Sequence, residues 1–179
     1  MNVIKTRLPG VLIIEPLVYG DARGFFLESY HQQRYRDIGI EHAFVQDNHS
    51  RSRKGVLRGL HFQLSRPQGK LVRVTQGAVY DVVVDINPDS ATCGEHVAVE
   101  LTAEDHLQLW IPPGYAHGFC VLSDTADFQY KCTDLYCPED EGGLLWNDPD
   151  LGIAWPLGSP RLSEKDQQYP RLRALLGGE

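Results

Sequence analysis

From Asn48 to Tyr80 the sequence contains no aspartate and no glutamate, yet seven lysines and arginines stand there: Arg51, Arg53, Lys54, Arg58, Arg66, Lys70 and Arg73. The chain as a whole is acidic, with a formal net charge of −7. A basic island in an acidic protein suits a small anionic ligand better than a nucleic-acid duplex, which favours a broad positive face. A solvated edge that deters strand pairing would also collect such charges, but it does not explain why a histidine, His61, is set among them. Other absences narrow the class. The first residues, MNVIKTRLPG, lack the apolar run of a secretion signal, and no segment approaches membrane-spanning length. The four cysteines (Cys93, Cys120, Cys132, Cys137) form no C-x-x-C pair and no zinc-finger spacing. Reduced thiols in a cytoplasmic protein are therefore expected, not a disulfide framework. Repeats and low-complexity segments are missing too, so 179 residues that are 42% hydrophobic point to a single domain over 1–179.

What is present is mostly strand. The island centres on GVLRGLHFQLSRPQGKLVRV, Gly55 to Val74, which reads as strands Val56–Gln63 and Lys70–Val74 around the turn-prone Ser65-Arg66-Pro67-Gln68-Gly69. Before it, Val11–Ile14, Phe25–Ser29 and Phe44–Asn48 are expected as strands, with a turn at Tyr19–Gly24. His31–Ile38 reads as a short helix stopped by Gly39. After it come Ala78–Ile86, His96–Leu101, Leu107–Ile111 and Ala126–Thr133. The run YDVVVDI is apolar enough for a strand buried on both faces. In Ala126–Thr133 the alternation puts Phe128, Tyr130 and Cys132 on one face. Pro112–Phe119 is expected as a turn presenting His117. Residues Cys137–Pro160 read as ordered loop anchored by Trp146 and Trp155, and Ser163-Glu164-Lys165-Asp166 as the start of a short helix. At least eight short strands with almost no helix imply an all-β sandwich or jelly-roll barrel with a few short peripheral helices.

Several side chains in this pattern can carry chemistry. His61 interrupts an apolar strand beside Arg58 and Lys70; burial among cations would hold it neutral and able to act as a base. Its bland reading is a satisfied core histidine. Arg58 and His61 have opposite strand parity, so they share a pocket only if the strand bulges, and Gly59 is where it could. Asp166 in Ser163-x-x-Asp166 reads as a helix cap, and Tyr130 as a core tyrosine. His117 suits a metal or an anion equally.

Taken together, Gly20–Ser29, Phe44–Ser50, Gly55–His61, Gln68–Arg73, Ile111–Phe119, Phe128–Lys131, Trp146–Pro149 and Leu162–Asp166 resemble the dTDP-4-dehydrorhamnose 3,5-epimerase family, in order and along nearly the whole chain. The resemblance implies a cupin-like jelly roll and a cofactor-free isomerase acting on a dTDP-linked 4-keto-6-deoxy sugar. It implies His61 as base, Asp166 as its orienter, Tyr130 as the opposing acid and Lys70 near the keto oxygen. It implies Arg23, Phe26, Glu28, Gln46, Asp47, Asn48, Arg58, His117, Tyr136, Glu141 and Lys165 as binding residues, with Tyr136 stacked on thymine. A homodimer is implied as well, in which Arg23–Glu28 serve either their own site or the partner's. Rivals remain at this point. A relative inverting only C3 or only C5 would use the same residues. A metal-dependent cupin fits the Pro112–His117 turn but wants His-x-His, where this chain has His61-Phe62-Gln63. A non-enzymatic sugar-nucleotide binding module accounts for the arginines but not for His61, Lys70, Tyr130 and Asp166 together.

Overall fold

A computed structural model describes residues 1–177; the last two residues of the domain expected over 1–179 lie outside the described residues. Its strands are β1 (Asn2–Lys5), β2 (Leu12–Glu15), β3 (Val18–Asp21), β4 (Gly24–Leu27), β5 (Gln46–Arg53), β6 (Leu57–Gln63) and β7 (Lys70–Gln76). They continue as β8 (Ala78–Asp85), β9 (His96–Thr102), β10 (Gln108–Ile111), β11 (Tyr115–Val121), β12 (Thr125–Cys132) and β13 (Glu141–Gly143). Two short helices, α1 (Gln32–Asp37) and α2 (Leu172–Leu175), complete the regular structure among the described residues, with one 3₁₀ turn at Pro138–Asp140.

Two antiparallel sheets face each other. One runs β1-β2-β10-β7-β12-β5 and the other β13-β6-β11-β8-β9, while β3 and β4 form a separate hairpin. Between the sheets Val72, Val74 and Phe128 meet Val79, Val83, Phe119 and Val121, all essentially buried. Each such large side chain contributes roughly 1.5–3 kcal/mol by leaving water. The outer faces are covered too. Helix α1 and Ile40 lay Tyr35 and Ile40 on Leu71 and Trp110. The chain after β13 lays Leu144, Leu151 and Leu172 on Leu60, Phe62, Val82 and Val84. That second cover is why YDVVVDI is apolar on both faces.

The expected jelly roll is therefore observed, with informative differences. β6 and β7 are not a hairpin. They belong to opposite sheets, so Ser65–Gly69 crosses from one wall to the other. Pro112–Phe119 is not a turn throughout; the turn ends at Gly114 and β11 carries His117 mid-strand. Ser163–Asp166 does not open a helix, because the cap-like bond from the Asp166 N–H to Ser163 Oγ (3.1 Å) closes only a turn, and α2 begins later. Trp155 donates to the Trp146 carbonyl at 2.8 Å, but both tryptophans are only half-buried; Leu144 and Leu151 are the buried anchors. All four cysteines are free thiols.

Candidate active site

Local sequence shapes the wall that carries His61. In the β6–β11 ladder His61 lies opposite His117 and Arg58 opposite Phe119, so three steps on β6 match two on β11. This is the bulge that the parity of Arg58 and His61 demanded, and it turns both side chains to the inner face. Gly59 makes it feasible. Its φ is +128°, and a Cβ there would lie 2.5 Å from the Gly118 Cα, so the two backbones touch where any other residue would hold them apart. Arg58 then reaches across the barrel, its Nε donating to Ser52 Oγ on β5 at 3.0 Å.

His61 Nε2 donates to Asp166 Oδ1 at 2.6 Å, which leaves Nδ1 as the nitrogen with a free lone pair. Asp166 is 4% exposed. Burial disfavours its charge, but His61 and, less strongly, Ser163 and the Gly59 backbone favour it and hold its carboxyl below the usual range. A second carboxylate, Glu141, comes within 4.0 Å of Nε2. Glu141 accepts from Lys165 Nζ at 2.6 Å, from Tyr169 at 3.2 Å and from the Tyr136 hydroxyl; burial disfavours its charge, but Lys165, Tyr136 and His61 outweigh it and hold the carboxyl below its usual range. The expectation that His61 sits among cations is thus corrected. Residues 141 and 166 bring two acids to it from beyond the basic island.

The opposite wall carries a lysine and the phenol. On β12, Tyr130 pairs with Asn48 of β5, and Cys132 pairs with Lys70 of β7, so Tyr130, Asn48 and Lys70 share the inner face. With Gln46, Gln63, Gln68, Tyr136 and Glu141 they line one cleft with His61. Burial pushes the Tyr130 phenol up, against a smaller opposing effect of Arg58, so it stays a proton donor. Burial also pulls the Lys70 ammonium down, while Cys132, Asp81 and Glu141 support its charge. Gln46 fixes the rim by accepting from the Tyr136 N–H at 2.8 Å.

Not every expected residue converges here. Asp47 points to the outer face, where it accepts from Lys131 Nζ at 2.9 Å; one residue out of phase with Gln46 and Asn48, it cannot share their face. His117 is buried within β11, its Nε2 at 2.9 and 3.0 Å from the two Asp81 oxygens and its ring stacked over Phe128. Arg23 and Phe26 stand on the β3–β4 hairpin, Arg23 paired with Asp21 at 2.5 Å and Phe26 68% exposed, and neither approaches the cleft of its own chain. Glu28 likewise pairs with Arg34 at 3.0 Å, away from the cleft. Sequence reasoning missed Asp81, Gln63 and Gln68. Asp81 left a signal, an acid in mid-run in YDVVVDI; the glutamines left none beyond their place beside the basic strands.

The chain's likeness to known proteins agrees with this geometry. The family described as dTDP-4-dehydrorhamnose 3,5-epimerase matches over residues 5–174. A relative of that name from Salmonella typhimurium (strain LT2) is 57% identical over 98% of both chains. One from Escherichia coli (strain K12) is 55% identical over 98% of this chain and 97% of its own. Among solved structures, an epimerase from Legionella pneumophila Philadelphia 1 in complex with dTDP-4-keto-L-rhamnose superimposes with a TM-score of 0.94 at 54% identity, covering 96% of this chain and 93% of that one. A cupin-like barrel with a carboxylate-held histidine facing a lysine and a tyrosine, matched along nearly its whole length, makes this chain a member of the dTDP-4-dehydrorhamnose 3,5-epimerase family, and so an isomerase.

Proposed function

We propose that this chain epimerises dTDP-4-dehydro-6-deoxy-D-glucose at C3 and C5, giving dTDP-4-dehydro-L-rhamnose, with the residues of its own cleft and no cofactor. The observation that carries the residue roles is the placement of His61 and Tyr130 on opposite sheets of one cleft. Inversion needs a proton taken from one face of the carbon and another delivered to the other face.

A C–H beside a ketone is removable only if the developing enolate oxygen is stabilised while a base is in place. His61 Nδ1 takes the proton. Asp166 on Nε2 fixes the tautomer and stabilises the imidazolium that forms, as in hydrolase triads. Lys70 stabilises the enolate by charge, and the Tyr130 phenol returns a proton from the opposite wall. The arginines suit the diphosphate through bidentate bonds; Tyr136, Glu141 and Lys165 form the nucleoside rim. None of these steps calls on a metal or nicotinamide.

The hairpin supports a homodimer. Tyr19, Phe25 and Phe26 are each at least 60% exposed, an apolar patch that a partner subunit's cleft would bury, with Arg23 and Glu28 following. The compartment we infer is the cytoplasm, in keeping with the free thiols; among the described residues no helix is long and apolar enough to cross a membrane.

The test is to run the reaction in D2O and locate the label by NMR. Deuterium at both C3 and C5 is expected, with both centres inverted. Label and inversion at one carbon alone would make this a monofunctional epimerase, and absence of both would overturn the reading.

A further inference from the structure

Tyr169 has no part in the mechanism above, yet it is built against the base. Its ring meets the His61 ring edge-on, with centroids 5.8 Å apart and planes at 69°. Its hydroxyl donates to Glu141 Oε1 at 3.2 Å. The space it fills is reserved for it. Gly143 lies directly opposite His61 in the β13–β6 register, and a Cβ at that position would stand 2.4–2.5 Å from the tyrosine ring carbons. A side chain at 143 would drive the ring off the imidazole.

The segment that bears the tyrosine is fastened on both sides. Asp166 N–H donates to Ser163 Oγ at 3.1 Å, Leu145 N–H to the Pro170 carbonyl at 2.9 Å, and Leu172 N–H to Asp148 Oδ2 at 2.7 Å. Burial, with the nearby Glu141 and Asp166 carboxylates, pushes the phenol up from its ordinary value of 10.0, so it remains a donor at any working pH.

The physical need is plain. One hydrogen bond at Nε2 fixes a point on the imidazole but leaves the ring free to swing about that bond, which would carry Nδ1 away from its target. A second, lateral contact removes that freedom. We propose that Tyr169 is a positioning residue for the epimerisation, its ring holding the imidazole plane of His61 and its hydroxyl bracing the neighbouring Glu141, so that Nδ1 stays aimed into the cleft. The proposal rests on the reading of His61 as the base.

The experiment compares Tyr169→Ala, Tyr169→Leu and Tyr169→Phe in the full chain, with His61→Ala beside them, by steady-state kinetics and by deuterium wash-in. Loss of the ring should lower kcat about 10- to 100-fold, the usual effect of removing a group that orients an active-site residue. KM should stay within about twofold, because Lys165 and Tyr136 still hold Glu141. Tyr169→Leu fills the slot without an aromatic edge, so it should be impaired even if Tyr169→Ala loses stability. Tyr169→Phe keeps the ring and should restore kcat to within about threefold of the wild type. Wild-type kcat in the Leu variant, equal losses in Phe and Leu, or a rise in KM alone would each overturn the proposal. Normal exchange in His61→Ala would overturn the base assignment instead, whatever the Tyr169 variants do.

Discussion

His61 and His117 are cross-strand neighbours, and each imidazole is held by an aspartate, yet the two pairs are built differently. His117–Asp81 lies within the sheet at 2.9 Å with side chains 8% and 0% exposed; His61–Asp166 is shorter, at 2.6 Å, and its histidine is 30% exposed. Asp81 comes from the strand next door, whereas Asp166 is delivered by a turn 105 residues away in sequence. A carboxylate partner is therefore common to both histidines; what separates them is access to the cleft, which the bulge at Gly59 gives to His61 and which the buried His117 lacks.

The largest effect that would break this comparison is a like substitution in both pairs. His61→Ala should lower turnover by about 10²–10⁴-fold with a smaller loss of melting temperature than in the buried pair, because water can enter the place of the 30%-exposed imidazole beside Asp166. His117→Ala should do the reverse, since it leaves Asp81 buried without its partner at a cost of about 3–5 kcal/mol. Thermal melts and kcat on both variants decide it; equal kinetic losses at equal stability would erase the distinction. The aspartates sharpen it next. Asp166→Asn should cost on the order of 10²-fold in kcat through the wrong tautomer, and Asp81→Asn should act first on stability.

A smaller effect concerns the facing wall. Burial lowers Lys70 from 10.5, so its charge is lost as pH rises through a value below that of an ordinary lysine. The alkaline limb of kcat/KM should accordingly fall below the pH of an ordinary lysine, and Lys70→Arg should move it upward, because arginine keeps its charge. A limb unmoved by that change would remove Lys70 from the reaction. The smallest expected effect is none at all. Dialysis against a chelator should leave activity intact, and a loss restored by a divalent metal would revive the metal-cupin reading.

Much of this was legible before any coordinates. Alternation in β5 set Gln46 with Asn48 and alternation in β12 set Tyr130 with Phe128 and Cys132, though not that the two faces are one, and the parity conflict between Arg58 and His61 foretold the bulge. The same alternation should have ruled Asp47 out, because period two sends neighbours to opposite faces. What could not be read was contact between distant segments. Only the family resemblance put Asp166 beside His61, nothing local in Glu141 says that it ends there too, and nothing in the turn Ser65–Gly69 says that it changes sheets. The hairpin β3–β4 was half legible: its turn residues were, its separation from the barrel was not.

In the proposed reaction abstraction and delivery are divided between the two walls, and Tyr130→Phe separates them. The substitution removes one hydroxyl and little volume, so fold and diphosphate binding should survive. Incubated in D2O and followed by NMR of deuterium content and ring coupling constants, the variant should wash label into substrate of unchanged configuration while inversion is strongly slowed. His61 would then be making the enolate and returning the proton to the face it left. Normal inversion at both carbons would show that the proton comes from elsewhere and reduce Tyr130 to packing.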